Sequence, residues 1–139
     1  MKHEGHEGHE GLEELGSGLD ELAHTVVDAG LNVHKALGPG LPESVYEQCL
    51  AHELRVRGLD VKRQLALPVV YEGLKLESGY RLDILVENAV VLEIKAVDAL
   101  SRVHEAQMLT YLRLSGLRLG FLMNFNVVLF KQELRRFLI

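Results

Sequence analysis

The segment YRLDILVENAVVLEIKAV, residues 80–97, places Asp83, Glu93 and Lys95 inside runs that are otherwise apolar. Burying an unpaired charge is expensive, so such residues need a partner or a task. In a strand, residues two apart point to the same face, so Glu93 and Lys95 point together. A hairpin tip near Asn88-Ala89 carries Asp83 back to a position opposite Glu93 or Ile94. On the Glu93 register, two carboxylates and an ammonium converge. Adjacent carboxylates repel, which raises a pKa or recruits a cation. Mg²⁺ or Mn²⁺ suits such a site: Mg²⁺ takes oxygen ligands and usually keeps several waters beside one or two carboxylates. Asp83, Glu93 and the Ile94 carbonyl are the expected ligands. Lys95 is placed to stabilise hydroxide or to neutralise a phosphate, as metal-assisted phosphodiester hydrolysis requires. Arg81 shares the Asp83 face and is a candidate phosphate clamp. A plainer arrangement uses the same residues. Asp83 paired with Lys95, and Glu93 with Arg81, would make cross-strand salt bridges on a solvated face.

The elements that must position these residues are legible from periodicity. Apolar residues recur at helical spacing from Leu19 to Leu37, and Gly38-Pro39-Gly40 stops that helix. A second helix follows Pro42 and ends at Gly58, with Val45, Tyr46, Cys49, Leu50 and Leu54 on its apolar face. Val61 to Tyr71 reads as a strand before a Glu72-Gly73 turn, Tyr80 to Glu87 as the next strand, and Val90 to Val97 as its hairpin partner. A third helix is expected from about Arg102 to Leu114, closed by Ser115-Gly116. Strands over Leu119 to Asn124 and Val127 to about Arg136 complete the chain. This order implies an α/β (α+β) fold with a mixed sheet flanked by helices. Val127 to Phe130 would lie in core or between subunits.

The spacing D-x9-E-x-K resembles the core of the PD-(D/E)XK nuclease superfamily. Gln107 and Tyr111, in HEAQMLTYLR, resemble the Q-x3-Y signature of its exonuclease-like branch. Gly40, Glu43 and Tyr46, in GLPESVYE, complete a likeness to the small bacterial GxxExxY family within that superfamily. Leu82 replaces the proline of the name motif. The resemblance runs from about Leu19 to the C-terminus and implies a restriction-endonuclease-like core. It implies a metal-dependent nuclease, with nucleic acid as partner and DNA ahead of RNA. It brings Glu43 to the metal, directly or through water, Gln107 to Lys95 or a metal-bound water, and Tyr111 to a phosphate. His104, three residues before Gln107, would assist a leaving group or bind phosphate. The structural readings stay open beside these: Glu43 as favourable charge at a helix N-terminus, Tyr111 as core, Gln107 as a solvated helix residue. A catalytically silent binding or regulatory module on the same fold is the second functional reading.

The remaining sequence sets bounds. With 139 residues the chain fits one domain over 15–139, preceded by a flexible HEG-repeat tail over 1–14. Glycine at every third position of MKHEGHEGHEG opposes helix. His3, His6 and His9 could hold a transition metal only weakly. The start resembles neither a signal nor a transit peptide, and no apolar run spans a bilayer. The lone Cys49 excludes a disulfide scaffold and fits a cytoplasmic setting. Net charge is −5. One lysine against five glutamates places −4 of it in residues 1–14, leaving a nearly neutral body. That argues against bulk-charge coating of nucleic acid and does not exclude a local grip. A homodimer or a protein partner would be compatible with the small size.

Overall fold

The computed structural model describes residues 2–3 and 8–139, with the backbone alone for 2–3, 8–15 and Ser78. Among the described residues, three helices flank one six-stranded mixed sheet. The elements are β1 (Lys2–His3), α1 (Gly8–Leu37), α2 (Glu43–Val56), β2 (Val61–Tyr71), β3 (Leu74–Val86), β4 (Val90–Lys95), α3 (Arg102–Ser115), β5 (Leu119–Asn124) and β6 (Leu134–Leu138). The sheet order is β1-β6-β5-β4-β3-β2, antiparallel throughout except for the parallel pair β4 and β5. That parallel pair needs a crossover, and α3 provides it.

Both faces of the central strands are covered, so each strand is apolar on both sides. Ala23, Val26, Ala29 and Val33 of α1 and Tyr46, Leu50 and Leu54 of α2 pack on one face, against Ile84, Val86, Leu92, Ile94 and Phe121. Met108, Tyr111 and Leu112 of α3 pack on the other, against Leu85, Val91, Leu122 and Phe137. Both α3 ends carry their own signals. Ser101 accepts the His104 N–H while His104 Nδ1 accepts the Ser101 N–H, a reciprocal cap. Gly116 closes the helix in the left-handed region.

The boundaries differ from the sequence expectation in several places, among them β4, which ends at Lys95 and not Val97, and β1, which pairs with β6 inside the expected tail. Strand β3 begins at Leu74, not Tyr80, because residues 74–76 pair back on 69–71 around the Glu72-Gly73 turn. The β3–β4 tip lies at Glu87-Asn88, both with positive φ, not at Asn88-Ala89. Glu87 is held there by bonds in both directions with Asp60: its N–H to the Asp60 carbonyl at 2.8 Å, and its carboxylate from the Asp60 N–H at 2.6 Å. Val127 to Leu129 is not strand. A 3-10 turn at Phe130–Glu133 intervenes, and the last strand starts at Leu134. The turn buries Phe130 against Gly30 of α1, where an added Cβ would lie 3.0 Å from the ring. Finally, helix assignment begins at Gly8 within the HEG segment and is interrupted at Gly16 (φ 77°, ψ 167°), so the packed helix starts after that break. Glu10, Glu13 and Glu14 are good helix formers and favour a helix start by the dipole, against the glycines. His6 lies outside the described residues, as do the side chains of His3 and His9, so the histidine metal reading does too.

Helix α3 packs tightly on the sheet at Gly120, where a Cβ would meet Met108 Sδ at 2.5 Å. Gly120→Ala is therefore expected to cost roughly 1–3 kcal/mol by overpacking, measured by urea denaturation. Met108→Ala in the same chain should recover part of that loss.

Candidate active site

The type of turn at Glu87-Asn88 fixes the register. Val86 pairs with Val90 and Ile84 with Leu92, so one further step sets Asp83 opposite Glu93. The regular ladder ends there, and the carboxylates take over its hydrogen bonds. Asp83 Oδ2 accepts the Ile94 N–H at 2.8 Å, and Glu93 Oε1 accepts the Asp83 N–H at 3.1 Å. In an extended strand the N–H and C=O of one residue point the same way, so the Ile94 carbonyl shares the Asp83 side. The cross-strand salt bridges of the plainer arrangement are not formed. Glu93 is 3 % exposed, and neither it nor Asp83 has an ion-pair partner among the described residues. Lys95 is half-buried and acts on both carboxylates only through its field.

Burial dominates the electrostatics. It raises Asp83 to about 6, against the opposing effect of the Ile94 N–H, with Glu47 and Glu43 adding to the rise. It raises Glu93 to about 9, and the Asp83 charge adds to that. Tyr111 is pushed up as well, by burial first and then by the Glu93 and Asp83 charges, which places its hydroxyl within their field. Its ring is core, edge-on to Tyr80 at 5.3 Å. The core reading of Tyr111 therefore holds, with its hydroxyl within reach of the carboxylate charges.

The other expected residues divide. Gln107, half-buried, lies on α3 one turn before Tyr111. Arg81 is exposed on β3 and donates to the Gln64 carbonyl at 3.2 Å. His104 sits at the start of α3 with Nδ1 committed to the cap. Glu43 is exposed at the start of α2, in reach of Asp83 electrostatically. It does not join Asp83 and Glu93 in a close group, since no three His, Cys, Asp or Glu side chains among the described residues assemble to hold an ion. Two carboxylates and a backbone oxygen do fit a hard cation that retains waters. Tyr46 is structural: its hydroxyl donates to the Gly38 carbonyl at 2.6 Å, accepts the Leu41 N–H at 3.0 Å, and its ring stacks on Phe125. It fixes the loop that launches α2.

One acid escaped the sequence reading. Glu47 is 4 % exposed, and its effect on Asp83 exceeds that of Glu43. It holds Arg63 in an ion pair at 3.0 Å and accepts the Gln64 amide with both oxygens. Gln64, opposite Asp83, takes φ 52°, a left-handed conformation uncommon for this residue type. The signal for Glu47 was present: it heads the i, i+3, i+4, i+7 row completed by Leu50, Ala51 and Leu54, so it lies on the buried face of α2.

A carboxyl group raised on folding favours the folded state most below its ordinary pKa. For Glu93 that contribution is complete below 4.5, shrinks as pH rises, and is gone above about 9. Asp83 adds the same trend between 3.8 and about 6. Metal-free protein should thus lose stability between pH 5 and 8. Glu93→Gln should remove most of that slope and raise stability at pH 8 by roughly 1–3 kcal/mol, as read from denaturation curves in chelator. An unchanged slope in the variant would show that Glu93 is not the group responsible.

Comparison with known proteins agrees with this geometry. A family model described as PD-(D/E)XK nuclease superfamily matches residues 20–137. No curated protein and no solved structure matches the chain. The match covers α2, the Asp83–Glu93–Lys95 hairpin, α3 and the closing strands, and with it the chain belongs to the PD-(D/E)XK nuclease superfamily.

Proposed function

We propose that this protein is a Mg²⁺- or Mn²⁺-dependent nuclease of the small GxxExxY type, hydrolysing phosphodiester bonds of nucleic acid, DNA ahead of RNA. One observation carries the reading: half-buried Asp83 and buried Glu93 face each other, and among the described residues no cationic side chain forms an ion pair with either. Asp83, Glu93 and the Ile94 carbonyl would hold the ion, with Glu43 or Glu47 acting from α2 through water. The ion, when bound, supplies charge neutralisation at the phosphate and lowers the pKa of a coordinated water.

The chain's own groups do the rest. Lys95 projects on the carboxylate face of β4 and forms no ion pair among the described residues, so it is available to a phosphate oxygen or to hydroxide. Gln107 offers an amide that can orient Lys95 or a water. The neutral Tyr111 hydroxyl can donate to a phosphate oxygen, because its field and burial oppose ionisation. Arg81 stands at the exposed rim, where a substrate strand would approach. The lone free Cys49 supports a cytoplasmic place of action. No helix among the described residues is long and apolar enough to cross a membrane.

A second reading, a binding or regulatory module without catalysis, has one observation in its favour. The β2–β3 ribbon extends beyond the core with Tyr71 68 % and Leu74 58 % exposed. Register puts both on one face with Leu76. Exposed apolar surface of this kind suits a protein contact.

Linear DNA, circular DNA and RNA incubated with Mg²⁺ or Mn²⁺ separate the two. The nuclease reading expects cleavage that stops in chelator and falls by roughly 10²–10³-fold in Lys95→Ala. Equal cleavage by both proteins, or none in any metal, would sink it and favour the module.

A further inference from the structure

We propose that Asn124 and Glu133 are positioning residues for the candidate active site, holding the segment between Lys95 and α3 at fixed length and angle. The inference rests on the nuclease reading of that site. Residues 96–101 join the strand that carries Glu93 and Lys95 to the helix that carries Gln107 and Tyr111. A connection without regular structure would leave those two pairs free to drift relative to each other. It is instead clamped from the far side of β5.

Asn124 is the parallel-strand register partner of Lys95 and is fully buried. Its Oδ1 accepts the Val97 N–H at 3.0 Å and the Asn126 N–H at 3.2 Å. Its Nδ2 donates to the Val97 carbonyl at 2.8 Å and to Glu133 Oε1 at 3.0 Å. The amide therefore reads both polar groups of Val97, as a strand neighbour would, after β4 has ended. Glu133 continues the clamp: the same Oε1 accepts the Leu100 N–H at 2.7 Å. Arg135 then ties Glu133 to Glu105 in the first turn of α3, at 3.4 and 3.3 Å. The path from Lys95 to α3 is thus pinned at Val97, Leu100 and Glu105.

A buried amide with all its bonds made is costly to break and specific in geometry. Neither residue lies among the carboxylates, so each would act through the groups it holds. The 3-10 turn that displaced the expected start of β6 has a purpose on this view: it brings Glu133 under the loop.

Isotope-labelled, metal-free protein provides a test independent of catalysis. In Glu133→Ala the Leu100 amide should exchange about 10-fold faster or more, and the side-chain signals of Lys95 and Gln107 should shift or broaden. Glu133→Gln, which keeps the Oε1 acceptor, should restore all three. If wild-type protein cleaves nucleic acid, Glu133→Ala should lower kcat by ~10–100-fold with KM within about 3-fold, and Glu133→Gln should recover it. Should Glu133→Ala fail to fold, Asn124→Asp, which keeps the Val97 acceptor but loses both donors, takes its place in the same measurements. Lys95 and Gln107 signals that stay in place while the Leu100 amide is freed would overturn the proposal. So would a Glu133→Gln variant as disturbed as Glu133→Ala. A wild type that cleaves nothing counts against the nuclease reading alone, since the spectra still decide the positioning.

Discussion

The arrangement depends on one costly juxtaposition, Asp83 against Glu93 across a hairpin whose regular pairing stops just before them. A sheet normally spends backbone hydrogen bonds on backbone. Here the Ile94 and Asp83 N–H groups are given to side-chain carboxylates, which fixes both acids without giving either a counter-charge. Burial then holds the pair in a state where at most one group is readily ionised near neutrality. Local structure gains nothing from this, so its cost is offset by packing elsewhere. The two apolar clusters do that: the strands are sealed by α1 and α2 on one face and by α3 on the other. A destabilised site supported by a well-packed surround is the usual signature of function in an otherwise consistent fold.

The supports around the pair follow the same logic. Tyr46 closes the Gly38–Leu41 loop and so sets where α2 begins, which places Glu43 at the rim and Glu47 one turn deeper. Glu47 is compensated by Arg63 and Gln64, and Gln64 accepts an unfavourable backbone conformation opposite Asp83. On the other face, α3 comes close at Gly120 and carries Tyr111 into the carboxylate field.

Most of the fold was legible because its signals are local. Pro42, Gly58 and Gly116 punctuate helices, and the alternation of buried runs with turns gave β2 and β5 at their observed bounds and β4 at its start. The pair Asp83 and Glu93 was legible because hairpin arithmetic is forgiving: moving the tip by one residue still left Glu93 among the two candidates. What was lost depends on tertiary partners. Glu87 adopts positive φ because Asp60 holds it, and the Phe130 turn exists because Gly30 leaves room for the ring. Asn124 and Glu133 bond to a loop some 27 and 33 residues away in sequence, which no periodicity reports.

The nearly neutral body constrains how such a site would grip a polyanion. Two of the nearby guanidinium groups are already engaged, Arg63 by Glu47 and Arg81 by the Gln64 carbonyl. Lys95 remains, together with whatever charge the carboxylate pair recruits. Long-range attraction contributes little under these conditions, since attraction of a polyanion scales with fixed positive charge. On the nuclease reading, substrate affinity then comes from the site itself, and an ion that relieves Asp83–Glu93 repulsion would also add positive charge that the balanced surface does not supply as a net excess. Metal and substrate binding become coupled, each strengthening the other by the same factor. On that reading the coupling gives the pair a reason to sit partly out of solvent: a site neutralised by its own lysine would have no need of the ion, and a solvated one would hold it less selectively.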